Sequence, residues 1–318
     1  MRVLLTGALG FVGPHLATAL RHSCGSEVGI VATAKDGGHH AAFDSVAALD
    51  VTDRAAVEAA IGQSQPTHVV HLAGIAAPSD VNADPENAWQ VHLHGTLQLA
   101  RTILSRAPNC WLVYVSSGMV YGESAKIGQP LDENTLLAPL DEYSASKAAA
   151  DLALGGLARA GLNCVRLRPF NHTGPGQSAA FVVPSFATQI ARIEAGLAPP
   201  VVQVGNLEAQ RDFLDVRDVA RAYALVVQHT ARLSPGIVLN VASGIPRRIS
   251  AILESLVAKS RTKIAIKQDP DRQRSSDLPV MVGDARRLRE LLQWKPEFSF
   301  GDTLAAVLDD CRARIGQS

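Results

Sequence analysis

Short apolar runs of strand length recur through the first half of the chain, and segments with helical periodicity separate them. Continuous apolar strands that alternate with helices are typical of a parallel sheet covered on both faces. Since the crossovers between parallel strands are right-handed, the pattern predicts an α/β fold with a doubly wound parallel sheet of the Rossmann type. The predicted strands are residues 2–6, 27–33, 67–73, 111–116 and 163–168, and the predicted helices are residues 12–22, 53–63, 85–106 and 143–160.

The second half of the chain has a different texture. Residues 168–177, "RPFNHTGPGQ", are rich in Gly, Pro and Asn, which indicates a loop. We therefore expect a first domain of residues 1–168, to which segments near 214–243 contribute, and a smaller, interleaved domain of residues 169–318. The elements predicted after the loop are helices at 181–196, 216–230, 249–259, 284–293 and 301–315, and strands at 201–204, 236–243 and 263–267.

The composition excludes several classes of partner. The chain of 318 residues carries 30 Lys and Arg against 30 Asp and Glu, so its formal net charge is zero. Without a global basic field we expect neither nucleic acid nor a membrane surface as a partner. The four cysteines have no C-x-x-C spacing, and His39 and His40 lack acidic or cysteine partners, so no metal site is expected. With no leader-like segment and no apolar run of membrane length, we expect a cytoplasmic protein.

A glycine-rich turn follows the first predicted strand. In "LLTGALGFVGPHL", Gly7, Gly10 and Gly13 have the spacing G-x-x-G-x-x-G and stand just before a helix. Such glycines let a backbone approach a pyrophosphate, which the helix N-terminus then binds together with residues such as Phe11 and Val12. An ordinary strand–helix turn is the alternative, but the position at the start of the sheet favours a dinucleotide, NADPH or NADH.

The second strand bears on the choice between these two cofactors. An acidic residue at its end would favour NAD, but "VATAKDGG" offers Thr33 and then Lys35, which could pair with a 2′-phosphate. We therefore expect a preference for NADP, although Lys35 could equally be a solvated loop residue. Asp50 could accept from the adenine amino group or cap a helix, a role for which Asp53 is better placed. Further cofactor contacts are expected from Val51, Leu72, Ala73 and Gly74.

One strand end and the following helix carry candidate catalytic residues. Tyr143 and Lys147 are four residues apart and so share a helical face. A lysine ammonium beside a phenol favours the phenolate, which predicts a lowered pKa for Tyr143 and a role in proton transfer while a nicotinamide carries hydride. Ser116 and Ser117 end a predicted strand, where ligands bind in such sheets. The alternative for the Y-x-x-x-K pair alone is an amphipathic surface helix.

With these motifs the chain resembles, over essentially its whole length, the extended short-chain dehydrogenases/reductases that act on nucleotide sugars. The resemblance implies a catalytic set of Ser117, Tyr143 and Lys147, with Tyr143 as acid/base and Lys147 also bound to the nicotinamide ribose. It places Ser117 four residues before Tyr121 of "VYG". One departure stands out: the motif N-x-x-G-T reads "HLHGT", so His92 replaces the asparagine, which could alter a structural water relay.

Further resemblance narrows the reaction. The 4,6-dehydratases of this family carry a glutamate where this chain has Met119, so no base for elimination is evident. Segments such as "VGNLEAQRDFLDVRDVARAY" resemble the branch of GDP-mannose dehydratases and GDP-4-keto-6-deoxy-mannose reductases. That resemblance implies diphosphate binding by Arg211 and Arg274, with Asn171 near the diphosphate. Met119, Val204 and Asn206 are expected to contact the substrate too. For Arg211, an ion pair with Asp212 or Asp215 is the alternative.

The implied activity is reduction of the C4 ketone of GDP-4-keto-6-deoxy-D-mannose to GDP-D-rhamnose or its C4 epimer. Two rivals remain open: a nucleotide-sugar 4-epimerase with tightly bound NAD, and a binding protein that senses a dinucleotide without turnover. The apolar faces of helices 85–106 and 143–160 predict a homodimer with a four-helix interface, which is common in the family.

Overall fold

A computed structural model of the protein describes residues 1–272 and 278–316. Its main sheet has seven strands, all parallel, in the order β10-β6-β5-β4-β1-β2-β3. The predicted fold class is confirmed. The strands are β1 Arg2–Thr6, β2 Gly29–Ala34, β3 Val46–Ala48, β4 His68–His71, β5 Trp111–Val115, β6 Cys164–Pro169, β7 Asn171–Thr173, β8 Val201–Val204, β9 Gln210–Asp215, β10 Ile237–Val241, β11 Pro246–Arg248, β12 Ala265–Gln268 and β13 Val280–Met281.

Helices cover both faces of this sheet. Side chains of α1 and α8 pack in the hydrophobic core on one face, and those of α2, α5 and α6 pack in the core on the other. The α-helices are α1 Val12–Cys24, α2 Arg54–Ser64, α3 Pro78–Ala83, α4 Pro85–Trp89, α5 Thr96–Arg106, α6 Glu142–Arg159, α7 Val182–Glu194, α8 Val216–Gln228, α9 Ile249–Val257, α10 Arg286–Leu292 and α11 Phe300–Gly316. No helix within the described residues is long and apolar enough to cross a membrane.

Local sequence explains where several helices begin. Asp53 accepts from the backbone N–H groups of Ala55 and Ala56 and so caps α2, which confirms the better of the two capping candidates. Asp141 and Ser144 form a capping box at the start of α6. Both caps satisfy N–H groups that a helix start leaves without partners.

The predicted helix at 85–106 differs in detail. Residues Gln90–Gly95 form a π-helical segment between α4 and α5, so an additional residue is accommodated within the turn. The segment predicted as a loop after residue 168 contains the short strand β7, which pairs with β9. The strand β9 was itself not predicted, because its sequence "QRDFLD" has neither a continuous apolar run nor an apolar–polar alternation.

The shorter strands lie in two small sheets in the second half of the chain. β9 pairs with β7, β11 and β13, and β12 pairs with β8. The helices α7, α9 and α11 pack around a separate hydrophobic core there, while β10 completes the main sheet beside β6. Thus the carboxyl ends of the main strands face these shorter elements, and a cavity lies between them. The division of the chain near residue 168 stays a prediction.

Candidate active site

The cavity has a volume of about 1030 Å³, large enough for more than one small molecule. One wall comes from the carboxyl ends of β1, β4 and β5 and from the start of α6. The other wall comes from residues after β6, from α7 and from β8 and β9. Parallel α/β sheets bind ligands at this edge, so the cavity is the candidate active site.

The glycine turn shapes one end of the cavity. Gly7 has φ +69°, and a Cβ there would lie 2.6 Å from the backbone nitrogen of Ala73. Gly10 lies exposed in the cavity wall. Gly13 is buried instead, and a Cβ there would collide with the carbonyl of Ala8. The first two glycines therefore let the chain turn at the cavity edge, and the third lets α1 pack closely.

The N-terminus of α1 fits the pyrophosphate of a dinucleotide. Phe11 and Val12 line the cavity at this end of the helix. No side chain caps the helix there, and its first turn holds no acidic residue. Free N–H groups at the positive end of a helix dipole, unopposed by a carboxylate, are suited to an anion.

The remaining predicted cofactor residues divide into two groups. Those in the cavity wall are Lys35, Asp50, Val51, Leu72, Ala73 and Gly74. Thr33 is buried at 3% exposure, and its hydroxyl donates to the carbonyl of Leu5, so among the described residues it is not part of the wall. The Thr33 hydroxyl could contact a ribose only if it gave up its hydrogen bond to the carbonyl of Leu5.

Lys35 and Asp50 form an ion pair with each other. The sequence analysis had predicted a separate cofactor contact for each of them. Lys35 Nζ lies 3.8 Å from Asp50 Oδ2 and is well exposed. Hydrogen bonds from the hydroxyl and backbone N–H of Thr52 lower the pKa of Asp50, and Lys35 contributes in the same direction. Such an exposed pair is weak, so Lys35 is available to a stronger anion.

Ser117, Tyr143 and Lys147 all line this cavity. Ser117 Oγ accepts from the backbone N–H of Met119 at 3.1 Å, which leaves its own proton free to be donated. Lys147 is buried and donates from Nζ to the carbonyl of Val115 at 3.2 Å, with the ring of Tyr114 5.5 Å away. The structure thus brings the three predicted catalytic residues to one wall.

The protonation of Tyr143 corrects an expectation. Burial raises the pKa of the Tyr143 phenol, although the Ser117 hydroxyl acts in the opposite direction. The expected lowering of this pKa by Lys147 is wrong in this structure, because desolvation of the phenolate outweighs the hydrogen bond from Ser117. Desolvation also lowers the pKa of Lys147 to about 8. Near neutral pH the site therefore holds a protonated phenol, which is the form that can donate a proton.

A buried ion pair holds the catalytic helix to the sheet. Asp151 lies one turn after Lys147 on α6 and is fully buried. Its carboxylate accepts from Arg168 of β6 at 2.9 Å through both Nε and Nη2, and from Arg166 at 3.0 Å. Removing one partner of such a pair would leave a buried charge, so the network fixes α6 relative to β6.

Most of the predicted substrate residues also line the cavity, Met119 after β5 and the others in the opposite wall. Met119, Asn171, Asn206 and Arg211 line the cavity, and Arg211 Nη1 donates to the carbonyls of Gln210 and Leu278 at 2.9 and 2.7 Å. Val204 does not reach the wall among the described residues, because its side chain is buried at 1% exposure in the core around α7.

Neither of the two acidic neighbours proposed as ion-pair partners of Arg211 is shown bound to it. Asp212 accepts from Ser243, Gly244 and Gly283, and Asp215 pairs with Arg217. The second predicted arginine, Arg274, lies outside the described residues. The described part of the chain contains no cluster of three residues suited to hold a metal.

The sequence analysis missed many wall residues, including the polar residues Gln177, Tyr223 and Arg272. Gln177, the last residue of "GPGQ", is buried with an unpartnered amide oxygen among the described residues. Tyr223 of α8 is fully buried beneath the cavity. Arg272 lines the wall and pairs with Asp269 at 3.1 Å. Of these, only Arg272 had a visible signal, since it stands two residues before the arginine that was chosen.

Comparisons with known proteins agree with this geometry. The model of the NAD dependent epimerase/dehydratase family matches residues 3–242. A GDP-6-deoxy-D-mannose reductase of Pseudomonas aeruginosa is 34% identical, over 99% of this chain and 98% of the relative. A GDP-6-deoxy-D-talose 4-dehydrogenase of Aggregatibacter actinomycetemcomitans is 26% identical, over 92% and 91%. A solved structure titled RMD from Pseudomonas aeruginosa, complexed with NADPH, is 33% identical, has a TM-score of 0.84, and is matched over 98% of this chain and 99% of that one.

Proposed function

Because the chain belongs to the NAD dependent epimerase/dehydratase family, we propose that it is an NAD(P)H-dependent reductase of the C4 ketone of GDP-4-keto-6-deoxy-D-mannose. At the coarser level, it is an NAD(P)-dependent oxidoreductase or epimerase of nucleotide sugars. Support for reduction comes from the GDP-6-deoxy-D-mannose reductase that matches it from end to end. The product is GDP-D-rhamnose or its C4 epimer. The epimer stays an alternative because one relative is a GDP-6-deoxy-D-talose 4-dehydrogenase.

One observation carries the proposal. A protonated Tyr143 and the Ser117 hydroxyl, which can donate its proton, face the same cavity, and the position of the dehydratase glutamate holds Met119. A ketone oxygen that gains negative charge needs a proton donor and a hydrogen-bond donor, and both are present. Elimination needs a base to remove a carbon-bound proton, and Met119 cannot act as one.

The roles of the protein groups follow from their positions. A dihydronicotinamide bound at the sheet side would supply the hydride for C4. Ser117 donates a hydrogen bond to the C4 oxygen and orients the ketone. Tyr143 gives its phenolic proton to that oxygen, so the ketone gains one hydride and one proton and becomes an alcohol. After this proton transfer, the Lys147 ammonium stabilises the phenolate of Tyr143.

The cofactor is held by the sheet side of the cavity. The N-terminus of α1 with Gly10, Phe11 and Val12 would hold the pyrophosphate, and Leu72, Ala73 and Gly74, which also line the cavity, would contact the rest of the cofactor. We prefer NADPH over NADH because Lys35 lies at the rim and its partner Asp50 holds it only weakly. The NADPH complex of the Pseudomonas relative supports this choice.

The sugar nucleotide is held by the later part of the chain, which we assign to residues 169–318 as a substrate domain. Arg211 lines this part of the cavity, and its planar fork suits the oxygens of the diphosphate. Asn171 and Asn206 offer neutral hydrogen-bonding groups nearby. In a chain of zero net charge, placed arginines of this kind replace a general basic field.

The test is turnover with a defined substrate panel. Purified protein receives freshly made GDP-4-keto-6-deoxy-mannose with NADPH, and separately with NADH, and the loss of absorbance at the reduced nicotinamide is followed. We expect stoichiometric oxidation, faster with NADPH, and a 6-deoxyhexose product by NMR. Interconversion of UDP-hexoses without net cofactor use would instead establish the 4-epimerase. Tight cofactor binding with no turnover on any sugar nucleotide would support the sensing protein.

A homodimer is part of the proposal. Leu152 of α6 is 60% exposed on the helix predicted to form a four-helix interface with α5. Burying such a side chain against a second copy is favourable. Light scattering of the wild type should give twice the mass of one chain, and Leu152→Glu should give one. A wild-type monomer, or a Leu152→Glu dimer, would contradict this interface; Leu136→Glu, in an exposed loop, is the control.

A further inference from the structure

The π-helical segment Gln90–Gly95 places one histidine inside the protein and another outside. His92 is buried at 1% exposure, whereas His94 is exposed. Single π-helical turns are uncommon and often mark functional positions. His92 is also the residue that departs from the asparagine of the family motif, so its contacts decide what the change does.

The imidazole of His92 bridges two parts of the candidate active site. Its Nε2 lies 2.9 Å from the backbone nitrogen and 3.2 Å from the carbonyl oxygen of Ile75, in the loop after β4. Its Nδ1 lies 2.8 Å from Ser146 Oγ on α6, and this hydroxyl is 3.0 Å from the carbonyl of Tyr143. A neutral ring satisfies both nitrogen atoms in either tautomer.

The same ring closes the space around the catalytic pair. A Cβ on Gly74 would lie 3.3 Å from His92 Nε2 and 3.2 Å from Lys147 Nζ, so both nitrogen atoms border one small space. The His92 ring meets the Tyr143 ring edge to face at 5.7 Å. Burial lowers the pKa of His92 to about 3, with a smaller contribution from Lys147, so the ring is neutral at working pH.

We propose that His92 is a positioning residue, whose neutral ring ties the Gly74–Ile75 loop to the catalytic helix α6 and keeps water away from the Lys147 ammonium. This inference rests on the proposed function. It acts on the reaction through Tyr143 and Lys147, since the ring itself is not in the cavity wall among the described residues. A smaller side chain would loosen two contacts at once and open the space beside Lys147.

A pH effect follows if His92 keeps water away from the Lys147 ammonium. The titratable groups that face Lys147 are Tyr114 of β5, His71 of β4, Tyr143 of its own helix and His92. Desolvation is what lowers the pKa of Lys147 to about 8. If water enters where the imidazole was, that pKa moves back toward the usual lysine value of about 10.4, and the alkaline limb of the rate profile moves up with it.

Four variants separate the contacts. His92→Gln retains a group at the Nε2 position and loses the Ser146 contact, His92→Asn does the reverse, and His92→Ala loses both. Ser146→Ala removes the partner on α6 while keeping the ring. His94→Asn is the matched control, because it changes the exposed histidine of the same segment.

We expect His92→Gln and Ser146→Ala each to lower kcat about tenfold, the size of one lost buried hydrogen bond, with KM for the sugar nucleotide within about twofold. The double variant should lose no more than about either single one, since both remove the same bond. His92→Ala should lose more than either, and its alkaline limb should lie about one pH unit above that of the wild type. His94→Asn should match the wild type.

Binding measurements keep this test separate from the proposed reaction. NADPH should bind about tenfold more weakly to His92→Ala, whereas 2′,5′-ADP, which lacks the nicotinamide half, should bind as it does to the wild type. Equal losses for both ligands, or an unshifted alkaline limb with additive single effects, would overturn the positioning role. If the wild type does not turn over the keto sugar at all, the proposed reaction fails, while the two binding constants still decide the role of His92. Thermal unfolding of Ser146→Ala shows whether folding is retained.

Discussion

The two walls of the cavity are built by different means. On the sheet side, parallel strands that are distant in sequence end side by side. Backbone groups and tight packing around Gly7 and Gly74 shape this wall. On the other side, short strands and the segments between them carry polar side chains such as Arg211 of β9 and Asn206, which lies between β8 and β9. Through Nη1, the guanidinium of Arg211 donates to two backbone carbonyls, which hold the side chain in the wall. The cofactor side is thus preformed mainly by the backbone, whereas the substrate side depends on polar side chains.

The largest effect is expected where the two walls meet. Tyr143→Phe removes the proton donor and should lower kcat about a thousandfold, within the range typical of general acids. Binding of NADPH and of the sugar nucleotide should change by less than about threefold, because the ring remains. Steady-state kinetics with separate binding titrations check both statements. A Tyr143→Phe variant that retains most of its kcat would show that Tyr143 is not the proton donor.

Gly7→Ala tests the preformed side. The new Cβ would lie 2.6 Å from the nitrogen of Ala73 in a backbone with φ +69°, so the free energy of unfolding should fall by about 3 kcal/mol. NADPH binding should weaken at least about tenfold because the turn moves. Gly128 is the matched control: its φ is +72°, but nothing lies within 4 Å of its Cβ position, so Gly128→Ala should cost only about 1 kcal/mol. Equal losses in denaturant unfolding would mean that crowding at Gly7 is unimportant.

Arg211→Gln tests the substrate side. Loss of a charged contact to the diphosphate should raise KM for the GDP sugar about tenfold and leave the dissociation constant of NADPH unchanged. Arg248→Gln is the control, because Arg248 of the neighbouring strand β11 forms an exposed ion pair with Glu208. If NADPH binding falls together with sugar binding, the two walls do not act separately.

The smallest effect is expected at the rim of the cofactor side. Lys35→Gln should reduce the NADPH to NADH ratio of kcat/KM about three- to tenfold, mainly through weaker NADPH binding, since one exposed charge contributes little. Because the 2′-phosphate attraction is electrostatic, the wild-type preference should shrink as salt rises. An unchanged ratio in Lys35→Gln would assign the preference to another residue.

The contrast between the sheet side and the substrate side also explains which elements could be predicted from the sequence. The strand at 2–6 was placed where β1 lies and the helix at 12–22 is extended by two residues in α1, because apolar runs and a glycine turn are local signals. The strand β9 was missed, because "QRDFLD" becomes a strand only through pairing with β7, β11 and β13, which are distant in sequence. Pairing between distant segments is not encoded in local periodicity.

Within the site, the spacing of residues in the sequence predicted which side chains lie together. The burial of those side chains could not be predicted from the sequence. The separation of Tyr143 and Lys147 predicted a shared helical face, and the structure places both in the cavity wall. The direction of the Tyr143 pKa shift was wrong, since it depends on how much water the folded chain excludes. Likewise Thr33 was identified by position, but its hydroxyl is turned toward the carbonyl of Leu5. The bridging role of His92 required three-dimensional neighbours to be seen at all.

Isotope transfer tests the central claim most directly. The protein is given GDP-4-keto-6-deoxy-mannose and NADPH that carries deuterium at the transferable position of the nicotinamide C4, and the product is examined by NMR. Our account predicts one deuterium at C4 of a 6-deoxyhexose for each NADPH oxidised, with the configuration at C4 read from the same spectrum. A product without deuterium at C4, or sugar conversion without oxidation of NADPH, would contradict direct reduction of the ketone.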